Sequence, residues 1–134
     1  MTSLSAEKHL VETRKHIVDV RKRIIAFAET LGMSAMKQAE LRTAATELLS
    51  NMARYAGKGV VHIELLPIDS PRGLRVIFED EGPGIPDIEL AMQNGFTTGN
   101  SLGHGLAACR NMVNFFELLS EPGKGTRVEI QKWC

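Results

Sequence analysis

Residues 80–86 read Asp-Glu-Gly-Pro-Gly-Ile-Pro and follow the apolar run from Leu74 to Phe78, so one carboxylate sits where a strand runs into a glycine-bent loop. Gly82 and Gly84 allow positive φ or close approach to a ligand, while Pro83 and Pro86 stiffen the turn. Asp80 is thereby held in place as an acceptor. Upstream, Glu47 and Asn51 stand four residues apart in a helical pattern, on a face that Arg54 and Tyr55 continue. An amide oxygen suits Mg²⁺, which shares its coordination with phosphates, and a carboxylate can take a proton from a hydroxyl or water. Taken alone, such a stripe is more often a solvated helix face.

The stretch Asn94–Gly105 is polar and glycine-spaced, and it ends in Leu102-Gly103-His104-Gly105-Leu106 at the start of a helical pattern. Free N–H groups at a helix start attract anions, and glycines leave the approach open. No Gly-Lys-Ser/Thr follows, which excludes a P-loop, and the dinucleotide fingerprint is absent. By itself this stretch reads as a loop with a capped helix. His104 has no carboxylate at fixed local spacing and reads as a loop residue, not a catalytic one. Cys109, on a mostly apolar helix, reads as packing, and Met33, Met36, Met92 and Met112 as filler of the core or of a partner surface.

These groups must be carried by a chain of 134 residues with 43% hydrophobic content, enough for one core and hence a single domain over 1–134. Acidic and basic residues balance at 16 each, so no global charge recommends nucleic acid or an anionic membrane. Two cysteines without pairing or metal-ligand spacing fit a reducing compartment. No apolar run approaches membrane-spanning length, and the start lacks a leader pattern, which suggests a cytoplasmic protein.

The elements follow from periodicity. Apolar residues from Leu10 to Leu31 recur at helical spacing, with a start near Ala6 or near His16 and a stop at Gly32. Ser34 caps a second helix from Ala35 to Ala56. Val60–Leu66 and Leu74–Asp80 form a hairpin, and a short helix is expected near Asp87–Gln93. A helix from Leu106 to Phe116 precedes strands Glu117–Ser120 and Thr126–Trp133 about the turn Glu121–Gly125. The expected fold class is α+β, a two-layer sandwich of a mostly antiparallel sheet with helices on one face.

The order Glu/Asn helix, Asp-x-Gly-x-Gly turn after a strand, glycine lid before a helix, and Gly125-Thr126 opening a strand resembles the ATP-binding domain of the GHKL superfamily. The resemblance spans Glu40 to the C-terminus. Glu47-Leu48-Leu49-Ser50-Asn51, Tyr55-Ala56-Gly57-Lys58-Gly59, Glu79–Asp87, Gly95-Phe96-Thr97-Thr98 and Lys132-Trp133 look most like the small bacterial serine/threonine kinases of the anti-sigma type, and among these the stressosome switch kinases. The cofactors so implied are ATP and Mg²⁺. Asn51 would bind the Mg²⁺ that bridges the phosphates, Glu47 would be the catalytic base or orienting group, and Asp80 would accept from the adenine amine. Gly82 and Gly84 would let the purine approach, Ile85 would pack on it, and Thr126 would support the base or a water beside Asp80. Arg54 and Tyr55 match positions lining adenine and phosphates, and Thr97, Thr98, Ser101, Leu102, Gly103, His104, Gly105 and Leu106 would form the lid over the phosphates. Ser101 stands where the family usually has another glycine, and His104 where a small or apolar residue is common. By the same resemblance an edge strand near Lys8–Thr13 precedes the first helix, against the periodicity.

What this implies is a partner-switching kinase that phosphorylates a STAS-domain partner and then binds a PP2C-type phosphatase, with a homodimer as one option for assembly. Two alternatives stay open: an anti-sigma factor with kinase activity that sequesters a sigma factor, and a non-catalytic nucleotide-gated binding module.

Overall fold

The computed structural model describes residues 6–84 and 106–134, and the expected helix near Asp87–Gln93 lies outside them. Among the described residues five strands, β1 (Ala6–Val11), β2 (Gly59–Leu65), β3 (Gly73–Asp80), β4 (Phe115–Glu121) and β5 (Gly125–Trp133), form one sheet in the order β1-β2-β3-β5-β4. Every neighbouring pair is antiparallel. Helices α1 (Arg14–Thr30), α2 (Ala35–Tyr55) and α3 (Leu106–Met112) supply the second layer, giving the α+β arrangement expected.

Local chemistry sets the boundaries. Thr13, expected to end the edge strand, is instead the N-cap of α1, its side chain accepting from the His16 N–H at 3.2 Å. The strand consequently runs Ala6–Val11, and the helix starts at Arg14, between the two starts considered. Leu10 is 54% exposed while Val11 is buried, the alternation of a strand and not the stripe of a helix. Ser34 caps α2 as expected, accepting from Lys37 N–H at 3.3 Å. The helix expected over Leu106–Phe116 stops at Met112, because Phe115 and Phe116 pair with Gln131 and Ile130 and so begin β4 two residues before Glu117. A seven-residue helix gains little from its own hydrogen bonds, so strand pairing decides where it ends.

The core lies between the layers. Val61 and Ile63 of β2, Leu74, Val76 and Phe78 of β3, and Val128 and Ile130 of β5 are buried against Ile24, Leu41, Ala45, Leu48, Leu49 and Met52. The opposite sheet face is polar and cross-linked by charge. Arg75 reaches Glu64 and Glu129, each at 3.1 Å, His62 meets Glu79 at 3.1 Å, and Arg127 lies 3.7 Å from Glu79 and 3.4 Å from Glu129. Lys132 is the one buried charged residue among those described, and its Nζ donates to Glu40 Oε1 at 2.7 Å and to the Met112 carbonyl at 2.6 Å. It fastens β5 to α2 and to the end of α3, where carbonyls would otherwise lack partners. Among the described residues no helix is long and apolar enough to cross a membrane.

The edge strand is held to α1 by Glu7, whose carboxylate takes both Nε and Nη2 of Arg23. That hydrogen bonding, outweighing burial, and a weaker contribution from His9 lower the Glu7 pKa to about 2. Because the folded value lies below the unfolded one, the stabilisation is complete above the ordinary carboxylate range and is lost as pH falls from about 4.5 towards 2. With Arg23 partly exposed, solvent screening reduces the pair to about 1 kcal/mol. Glu7→Gln should therefore lower unfolding free energy by about 1 kcal/mol at pH 7. In urea titrations that difference should hold to about pH 5 and shrink below it.

Candidate nucleotide site

The site is assembled at the end of the sheet where β3 stops. Asp80 pairs with Thr126 of β5, and Thr126 pairs with Ser120 of β4, which sets three polar side chains in one row on the face that carries the helices. The row exists because Gly125 has φ +93° and no side chain, and a Cβ there would lie 2.1 Å from the Asp80 carbonyl oxygen. Asp80 is half-buried and its Oδ1 accepts from the Gly82 N–H at 2.9 Å. Burial raises its pKa, and hydrogen bonds from the backbone of Gly82 and Thr126 oppose that rise. The Ser120 hydroxyl donates to the Gly125 carbonyl at 3.0 Å and lies 3.0 Å from Thr126 Oγ1.

Two turns buttress the row. Gly123 N–H donates to the Pro83 carbonyl at 2.7 Å, joining the turn after β3 to the β4–β5 hairpin. Gly84 takes φ +79°, as its position in the turn requires. Gly82 does not, and its openness serves another contact: a Cβ there would meet the Ala56 Cβ at 2.6 Å, so the end of α2 rests directly on the turn. From Ala56, Asn51 and Glu47 lie back along the helix axis by about 8 and about 14 Å at the usual rise per residue.

Both are half-buried, and Glu47 stands near enough to Cys109 of α3 for its charge to act on the thiol. Arg54 and Tyr55 occupy the exposed end of α2, the guanidinium 5.7 Å from the ring centroid. Leu106, expected in the lid, is buried in the core at the start of α3. Ile85, Thr97, Thr98, Ser101, Leu102, Gly103, His104 and Gly105 lie outside the described residues.

Ser120 was not among the residues expected here. Its signal is the hairpin itself: a strand returning about the turn Glu121–Gly125 places Ser120 opposite Thr126.

The family of histidine kinase-, DNA gyrase B- and HSP90-like ATPases matches residues 36–133, which include every described element of the site. The chain belongs to this family. It is 42% identical to the serine/threonine-protein kinase RsbT of Bacillus subtilis over 106 residues, covering 79% of this chain and 80% of the relative. It is also 34% identical to an anti-sigma F factor of Caldanaerobacter subterraneus, over 81% of this chain and 78% of that one. In fold it matches the RsbU and RsbW domains of a Mycobacterium tuberculosis protein, with a TM-score of 0.66 at 16% identity, over 96% of this chain and 32% of that one. The Mycobacterial sensor histidine kinase MprB superposes with a TM-score of 0.55 at 21% identity, over 94% and 95% of the two chains. These are the relations expected from the motif order.

Cys109 gives a simple check on the α2–α3 packing. Burial and, second, the Glu47 charge push its thiol up to about 12, whereas Cys134 is exposed. One thiol per folded chain should react with a thiolate-selective reagent at pH 8, and both should react in denaturant. Two fast thiols in the native protein would contradict a closed α2–α3 seam.

Proposed function

We propose that the protein is an ATP-Mg²⁺-dependent serine/threonine protein kinase of a partner-switching pathway. The observation that carries this is the half-buried Asp80, locked in a row with Thr126 and backed by the end of the helix that bears Asn51 and Glu47. The 42% identity to RsbT supplies the reaction class.

The residues present suit both cofactors. Asp80 offers acceptor oxygens in a partly desolvated place, which fits the donor amine of adenine and opposes the carbonyl of guanine. Among the described residues no group of three His, Cys, Asp or Glu could cage a metal. A lone amide oxygen from Asn51 is what Mg²⁺ needs when phosphates and waters complete its shell. Bound ATP-Mg²⁺ supplies the transferable phosphoryl group and its charge neutralisation, leaving positioning to the protein. Asp80 and Thr126 hold the base end, Asn51 fixes the metal end, and Glu47 accepts or orients the proton of the attacking hydroxyl. In this reading Gly82, Gly84 and Ile85 line the purine, Arg54 and Tyr55 flank it, and the lid of Thr97–Gly105 covers the phosphates, with Leu106 anchoring its end in the core.

The substrate is a serine or threonine on a STAS-domain protein, after which the kinase engages a PP2C-type phosphatase in the cytoplasm. The 34% identity to an anti-sigma F factor favours a second reading, in which the same site serves a protein that sequesters a sigma factor. Co-purification with a sigma subunit in place of a phosphatase would select it.

Glu47→Ala should retain ATP binding and lose transfer to the STAS partner by at least about 100-fold, the scale of a general base. ATP binding without any transfer by the unaltered protein would sink the kinase. Asp80→Asn should weaken ATP binding by about tenfold or more in calorimetric titration, since it exchanges one acceptor oxygen for a donor.

A further inference from the structure

We propose that Ser120 sets the nucleobase selectivity of the site by fixing which way the Thr126 hydroxyl points its proton. The inference rests on the nucleotide reading above and adds to it a specificity residue that does not itself belong to the Asp-x-Gly-x-Gly turn.

The argument is one of proton counting. A hydroxyl carries a single proton, and a carbonyl oxygen can only accept. The 3.0 Å contact between Ser120 Oγ and the Gly125 carbonyl is therefore a donation by Ser120. Ser120 Oγ, 3.0 Å from Thr126 Oγ1, has then no proton left for that second contact, so Thr126 is the donor in it. Thr126 Oγ1 retains only lone pairs, and Asp80 beside it is an acceptor held by Gly82. The row Asp80–Thr126–Ser120 presents acceptors alone to whatever lies against it.

A purine with an exocyclic amine offers two N–H donors to such a surface, directly or through one water. A purine with a carbonyl there brings a further acceptor, leaving buried lone pairs facing one another. Sites built this way discriminate mainly through the unpaired group in the wrong complex. Removing the Ser120 hydroxyl releases the Thr126 proton, which can then turn to a ligand carbonyl. Ser120 is half-buried on a strand, and its loss leaves the turns around Asp80 their own backbone bonds.

The test compares ATP and ITP, which differ by amine against carbonyl at C6 and by acceptor against N–H donor at N1, by calorimetric titration with Mg²⁺. The unaltered protein should prefer ATP, and Ser120→Ala should narrow the ATP to ITP affinity ratio by about tenfold, the scale of one neutral hydrogen bond. Ser120→Thr, which keeps the hydroxyl, should preserve the ratio. Ser120→Cys, with a weaker donor of similar size, should narrow it by less and serves the same purpose if the alanine variant does not fold. An unchanged ratio in a folded Ala or Cys variant that still binds ATP overturns the role of Ser120 alone. Absence of ATP binding by the unaltered protein overturns the nucleotide site and this role together.

Discussion

The pairing of β3 with β5 is the constraint on which the site depends. It joins segments far apart in the chain, over a register that runs from Gly73 opposite Trp133 to Asp80 opposite Thr126. A slip of one residue would turn Asp80 and Thr126 to the charged face and Val76, Phe78, Val128 and Ile130 away from the core. Burial of those four side chains thus fixes the position of a carboxylate that contributes nothing to the core itself. Gly125 permits the last pair to close, and the bond from Gly123 to Pro83 keeps the two turns together.

Helix α2 is the second half of the arrangement. Its apolar side is consumed by the sheet through Leu41, Ala45, Leu48, Leu49 and Met52, which leaves Glu47 and Asn51 half-buried on its flank. Contact between Ala56 and Gly82 sets how far the helix advances over the sheet end, and Lys132, reaching Glu40 and Met112, holds the far end against β5 and α3. A buried lysine with two partners is costly to desolvate, so its gain is one of definition more than of stability.

Much of this was legible in the sequence. The two long helices and the β2–β3 hairpin followed from periodicity, caps and turn residues, which act over a few residues and leave a local trace. Asp80, Glu47 and Asn51 stand out in the sequence because their order along the chain, more than any one of them, carries the resemblance to a known site. The hardest positions to read were those where local signals compete with pairing. Leu10 and Val11 continue a helical spacing, yet the edge strand expected there by resemblance forms, because β2 offers Val60 and Gly59 as partners. Phe115 and Phe116 extend a helical pattern yet enter β4, because Gln131 and Ile130 take them. Gly82 reads as an opening for a ligand, and the described structure also gives it a packing contact with Ala56 that no spacing announces.

By itself the sequence determined the chemical inventory, the class of fold and the family, since residue types, periodicities and motif order are properties of the chain alone. Only the tertiary structure decided that Asp80, Thr126 and Ser120 form one row and that the proton of Ser120 goes to Gly125. The physical reason is that hydrogen-bond direction depends on which acceptors lie within about 3 Å, a matter of register between strands. No spacing within a single strand encodes it.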